Sequence, residues 1–180
     1  MAKTAIILVD VLNDFVTGAL TCDRAVALVP RLKKLVEAAR KKGVYVIYSN
    51  DAHLKGIDGE LELWGDHAIA GTKGAEVVPE LTPAAGDYIV PKRRYSGFFQ
   101  TDLQLLLTEL GVDTLVMTGL RAHMCVRHTT ADAYCWGYKI IVPTDGTDSF
   151  TEEDYNYGIS YLKDVYGAQL TTIDELIQTF

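Results

Sequence analysis

A carboxylate, an amine and a thiol stand at comparable places along this 180-residue chain, each shortly after a run of apolar, β-favouring residues. Asp10 follows Thr4-Ala-Ile-Ile-Leu-Val9, Lys92 follows Asp87-Tyr-Ile-Val90 and Pro91, and Cys125 comes soon after Thr114-Leu-Val-Met-Thr118 and Gly119. Brought together, the three make a base, a cation and a nucleophile. The carboxylate accepts the thiol proton, the ammonium stabilises negative charge, and the thiolate attacks an electrophilic carbon. Cys125 falls at the turn into a small-residue helix running from about Val126 to Gly137. Unpaired N–H groups and the helix dipole favour negative charge there, so the thiol is expected to ionise well below the ~8.5 of a free cysteine. The same N–H groups can hold an oxyanion. Each residue also has a plainer reading: Asp10 as a turn residue, Lys92 as a solvated lysine, Cys125 as a small buried hydrophobe.

A second constellation is Asp51-x-His53 with His67. Residues two apart on an extended segment point to one side, and His67 returns from the same loop. Two imidazoles and a carboxylate suit zinc or a similar divalent ion with positions left open. On spacing alone, polar loop histidines are the commoner explanation. His123 and His128 flank Cys125; His128 lies a turn into the helix and should project away, whereas His123 is near enough to line a pocket. Asp145, after the strand Lys139-Ile-Ile-Val142, is a further candidate for the same edge. Cys22 and Cys135 have no such setting; Cys135 is placed at the helix end where the dipole disfavours a thiolate.

The elements that must position these residues are legible. Thr4–Val9 lacks polar alternation, as a strand covered on both faces does. Asp23 to Lys42 carries helical periodicity, with Val26, Val29, Leu32, Leu35, Val36 and Ala39 on one face and Gly43 as the stop. Val44–Tyr48 is the second strand, ending at Ser49-Asn-Asp51. From Ala52 to Pro83 the pattern predicts mostly loop, long enough to suggest function. Asp87–Val90 is a third strand, closed by Pro91. Thr101 to Leu110 reads as a helix with Thr101 as N-cap and Gly111 as stop. Strands at 114–118 and 139–142, a helix opened by the capping pattern at Thr151 and running to about Tyr166, a short strand at 169–172 and a helix from Ile173 to Phe180 complete the chain. Alternating strands and helices predict a three-layer α/β/α domain spanning residues 1–180, with a mostly parallel central sheet. Ligands in such folds bind beyond the carboxyl ends of the strands, where the candidate residues lie.

Composition sets outer bounds. Hydrophobic residues at 48% and charged residues at 23% describe an ordinary globular chain, and a formal charge of −7 argues against nucleic acid as a partner. No apolar run reaches membrane-spanning length and no signal peptide is visible. Three cysteines without framework spacing point to a reducing compartment, so a cytoplasmic location is expected.

Four ordered segments together resemble the isochorismatase-like cysteine hydrolase superfamily, nearest its nicotinamidase branch: Ile6-Ile-Leu-Val-Asp10-Val-Leu-Asn-Asp-Phe15; Trp64-Gly-Asp-His67 with Gly71-Thr72 and Gly74-Ala-Glu76; Lys92-Arg-Arg-Tyr-Ser-Gly-Phe98 with Thr101-Asp-Leu103; and Gly119-Leu-Arg-Ala-His-Met-Cys125-Val-Arg127. The resemblance implies a catalytic triad of Asp10, Lys92 and Cys125 that hydrolyses a small-molecule C–N amide bond through an acyl-enzyme. It implies a cis peptide after Leu120 and an oxyanion hole from the amides of Arg121 and Cys125. It implies a divalent metal, zinc in the first instance, on Asp51, His53 and His67, and aromatic packing of the substrate by Phe15, Trp64 and Tyr95, with His123 nearby. A homo-oligomer, dimer or tetramer, and a small-molecule substrate follow by the same resemblance. Two departures stand out. The usual fourth metal-linked residue after the position of His53 is missing, leaving Asp58 or Glu60 to substitute, and Arg121-Ala-His-Met replaces the usual Ala-Thr, so that Arg121 can favour an acidic substrate. Hydrolysis of a carbamoyl compound or vinyl ether, or an idle binding role, are the alternatives; vinyl-ether hydrolases of this kind commonly lack the cysteine, and the intact triad set speaks against idleness.

Overall fold

The computed structural model describes residues 3–180. Its centre is β1 (Thr4–Val9), flanked by β2 (Tyr45–Asp51) on one side and β4 (Thr114–Leu120) on the other. The sheet runs β3 (Tyr88–Lys92), β2, β1, β4, β5 (Lys139–Pro143), β7 (Gln169–Thr171), and every pairing is parallel. Because side chains alternate along a strand, β1 feeds two cores at once. Ile6 and Leu8 pack with Leu28, Leu32 and Leu35 of α2 (Asp23–Lys42) and Ile173 of α7 (Ile173–Ile177). Ala5, Ile7 and Val9 pack with Leu103 and Leu107 of α4 (Leu103–Leu110), Val126 of α5 (Cys125–Cys135) and Leu162 of α6 (Glu152–Tyr166). That gives the expected three layers.

The chain leaves β1 toward β2 and β3, then returns across the sheet to β4 on β1's other side. The order of strands reverses between β1 and β4, which opens a crevice at their carboxyl ends. Gly119 makes the close approach possible there: at φ +96° a Cβ would lie 2.1 Å from the Val9 carbonyl oxygen. Beyond Val116 the partner of β4 changes. β5 pairs only with Thr114–Val116, and the two-residue β6 (Thr147–Asp148) pairs with Gly119 and Leu120.

Several expectations need correction. β2 continues through Ser49–Asp51, and β3 includes Pro91, tolerated because β3 is an edge strand. The buried face of α2 is turned toward Ala25 and Leu28, leaving Val26 exposed. Asp102, not Thr101, takes the N-cap position of α4, although the Thr101 hydroxyl accepts from the Leu103 amide at 3.2 Å. Thr151 caps α6, and Thr172 ends β7 by forming a capping box with Glu175. The long loop carries the short helix α3 (Glu60–Trp64) and two 3-10 turns, Lys73–Ala75 and Pro79–Leu81, and another short helix, α1 (Asn13–Val16), follows β1. No helix among the described residues is long and apolar enough to cross a membrane.

Candidate active site

Strand register brings the first contacts about. Asp51 and Lys92 are partners in the β2–β3 ladder, and the Lys92 Nζ lies 2.5 Å from Asp51 Oδ1. Asp10 leaves β1 at φ 52°, a left-handed conformation that costs a non-glycine residue energy. Its Oδ1 accepts from the Asp51 amide at 2.7 Å and its Oδ2 lies 2.8 Å from Lys92 Nζ. Cys125 is the first residue of α5, and its sulfur lies within 4.8 Å of one carboxylate oxygen each from Asp10 and Asp51. All four side chains are buried.

Burial without water makes these charges depend on one another. Burial, reinforced by Asp51, pushes the Asp10 carboxyl up to about 6 against the pull of Lys92. Burial opposes the charge on Lys92, yet Asp10, Asp51 and Cys125 together hold it well above its ordinary value. Burial also pushes the Cys125 thiol up, opposed by Lys92 and reinforced by the two carboxylates. The expected low thiol pKa is therefore corrected: the helix start is overridden by a dry, acid-rich surrounding. The resting pair is a thiol beside an ionised Asp10, which suits proton transfer during attack rather than a standing thiolate.

The peptide between Leu120 and Arg121 is cis. The amides of Arg121 and Cys125 donate to no protein acceptor among the described residues, while the neighbouring Ala122, Met124 and Val126 amides are all bonded. They are free for an oxyanion.

Next to this cluster, Asp51, His53, Glu60 and His67 each offer an atom within 4.8 Å of the others. His53 Nδ1 meets the Asp58 carboxylate at 3.1 Å and His67 Nδ1 meets the Gly65 carbonyl at 2.8 Å. Both partners only accept, so each Nδ1 carries a proton and Nε2 is the nitrogen left to face a metal; burial opposes a second proton on His53, but Asp51, Asp58 and Glu60 favour it and hold its pKa up. His53 Nε2 and Asp51 Oδ2 are buried and lack hydrogen-bond partners. Two imidazole nitrogens and two carboxylates fit a divalent ion such as zinc. Of the two residues considered for the fourth place, Glu60 is the one gathered with the other three; Asp58 instead orients His53 and pairs with Arg93. Burial, then Asp51, pushes the Glu60 carboxyl up to about 7. Asp51 faces Lys92 with one oxygen and the metal residues with the other, so it joins the two clusters.

The cavity above the sulfur is lined by Phe15, Trp64, Tyr95, Arg121, Phe150 and Leu20, among others. Its free volume is about 20 Å³, so its lining side chains must part for any substrate larger than a water. Trp64 Nε1 donates to the Tyr95 hydroxyl at 3.0 Å, and the Trp64 ring stacks on Phe150 with centroids 6.1 Å apart. The larger hollow of about 920 Å³ beside α2 shares no residue with this cavity.

Phe15, Trp64 and Tyr95 all line the cavity beside Cys125. His123 does not line the cavity; its Nδ1 lies 2.9 Å from the Ser149 hydroxyl and its ring meets the edge of Phe150. His128 turns away, its Nδ1 against the Met124 carbonyl. Asp145 is also corrected: its carboxylate accepts from the Ile173 amide, the first of α7, at 2.8 Å. Phe150 gave no sequence signal, because the strand that delivers it is two residues long and has no readable period.

The solved N-carbamoylsarcosine amidase of Thermoplasma acidophilum is 40% identical, with a TM-score of 0.89 over 96% of this chain and 97% of that one. Nicotinamidase PncA of Bacillus subtilis is 35% identical, with a TM-score of 0.89 over 94% and 99%. A pyrazinamidase of Pyrococcus horikoshii, solved in complex with zinc, is 26% identical, with a TM-score of 0.87 over 94% and 99%. The Isochorismatase domain model matches residues 4–175, from the start of β1 to the capping glutamate of α7, and so takes in every strand that delivers a residue to the crevice. A parallel sheet whose ends gather an acid, an amine and a thiol, overlaid on these hydrolases and matched nearly end to end by that model, makes this chain a member of the isochorismatase family.

Proposed function

We propose that this chain is a cysteine-dependent hydrolase that cleaves a C–N amide bond of a small, nicotinamide-like molecule. The observation that carries the reading is the convergence of Asp10, Lys92 and Cys125 from three strand ends into one buried cluster. Asp10 takes the thiol proton as the sulfur attacks the carbonyl carbon, and the amides of Arg121 and Cys125 hold the oxygen that gains the charge. As the tetrahedral species collapses, the C–N bond breaks and Asp10 returns its proton to the leaving amine. The remaining thioester is cleaved by a water that Asp10 deprotonates; the product is a carboxylic acid and the thiol is restored. Lys92 holds Asp10 in place and keeps two neighbouring carboxylates compatible. Asp51, His53, Glu60 and His67 would hold a divalent ion, zinc in the first instance, which as a Lewis acid binds a lone-pair donor of the substrate. Phe15, Trp64 and Tyr95 pack a flat substrate.

The test is ammonia release from a panel of small primary amides including nicotinamide, with Cys125→Ala beside the parent. Loss of at least roughly a thousandfold in kcat is expected from removing a nucleophile. Turnover surviving that substitution would remove the mechanism. A Cys125 no more reactive to iodoacetamide than Cys22 would favour an idle binding protein instead.

A further inference from the structure

Arg121 contributes its amide to the candidate oxyanion hole, but its side chain does something separate. It is 2% exposed, among the largest fully buried side chains of the molecule, and it lines the cavity above Cys125. Its Nη1 donates to Cys22 Sγ at 3.3 Å, and its Nη2 donates to the carbonyls of Phe15 at 3.1 Å and Leu20 at 2.5 Å. Those three acceptors are no match for five N–H groups, and Nε is buried without a partner. No carboxylate lies within ion-pair distance among the described residues. Asp148, an acid near enough to influence it, is engaged by Arg24 at 2.6 Å and Arg31 at 3.7 Å. The Phe150 ring covers the guanidinium at 4.1 Å from Cζ, which supports a cation but supplies no counter-charge.

A buried, unpaired guanidinium is costly, and burial accordingly pulls its pKa down. The cost is met when an anion arrives. We infer that Arg121 is the receptor for a carboxylate on the substrate, so that the bond cleaved belongs to an amide or carbamoyl compound that also carries an acid group. This narrows the proposed amide hydrolysis and rests on it: neutral nicotinamide becomes the weaker class. The cavity is polarised for such a molecule. Asp51 and Glu60 line the same cavity, so a carboxylate entering it is repelled by those acids and drawn to Arg121. The donors left for it are Nε–H and the Nη1 hydrogen not given to Cys22, on a head group whose charge is fixed.

The experiment compares isosteric pairs on the zinc-supplied enzyme: malonamate with malonamide, succinamate with succinamide, and nicotinamide as a neutral ring amide. The parent should prefer the acid member of at least one pair. Arg121→Gln should lower that preference by roughly ten- to a hundredfold, chiefly through KM, as loss of a charged hydrogen-bond partner does. Arg121→Lys, which keeps the charge without the fork, should recover part of it. The inference is overturned if the parent turns over the neutral members as well as the acids, or if Arg121→Gln slows both members of each pair equally, since a structural or thiolate-stabilising role would do that. Calorimetry with succinate, a carboxylate that cannot be hydrolysed, is independent of turnover. Binding by the parent that weakens in Arg121→Gln, or in Arg121→Lys should the first variant not fold, supports the receptor even where no amide is cleaved and the hydrolase reading fails. Absence of succinate and succinamate binding to the parent sinks it.

Discussion

Lys92→Met tests the electrostatic core most directly. The ammonium is buried, 2.8 Å from Asp10 and 2.5 Å from Asp51, and Met occupies a similar volume without charge. Removing it leaves two carboxylates facing each other away from water. Breaking a buried ion pair in this way costs about 3–5 kcal/mol, a large share of the stability of an ordinary domain. The variant has an escape: one carboxyl takes up a proton. Asp10, already at about 6 with Lys92 present, must rise further without it. Its folded pKa then stands above the unfolded value, so the folded variant binds more protons than the unfolded chain and gains stability as pH falls. The gap between parent and variant should therefore be widest near pH 7.5 and close by up to about 1.4 kcal/mol per unit toward pH 5.5. Urea denaturation at both pH values, with chelator present so that no cation takes the empty place, measures it. A loss under about 1 kcal/mol, or a gap that does not change with pH, would mean that Lys92 is not what makes the two acids compatible, and the account of the cluster would fail.

Two other outcomes follow from the same geometry. Asp10 must be ionised to accept the thiol proton, so kcat/KM should fall as pH drops through about 6, and Asp10→Asn should abolish turnover without unfolding the protein; an acid limb near 4 would show that Asp10 does not set it. Asp58→Ala leaves the four candidate metal ligands in place but frees His53 to rotate, so zinc affinity should weaken roughly ten- to a hundredfold by competition with a chromogenic chelator, and unchanged affinity would refute the orienting role.

What the linear chain determined about this protein is what local pattern can carry. Continuous apolar runs gave β1 and β4 because both faces of those strands are covered; a polar residue directly after an apolar strand marked Asp10, and a cysteine at the turn from strand to helix marked Cys125, as residents of the sheet's carboxyl edge. Gly43 and Gly111 stopped their helices at positive φ, as a residue without Cβ permits. Only tertiary structure decided the rest. Strand register put Lys92 against Asp51 as well as Asp10, and no spacing in the chain encodes which residue faces which across a ladder. Glu60 rather than Asp58 joined the candidate metal residues because Arg93 and His53 claim Asp58. Phe150 reached the cavity from two residues past a strand too short to read. The state of the Cys125 thiol was reversed from expectation, since proximity to a helix start is a property of sequence, whereas burial beside two carboxylates exists only once distant segments have packed together.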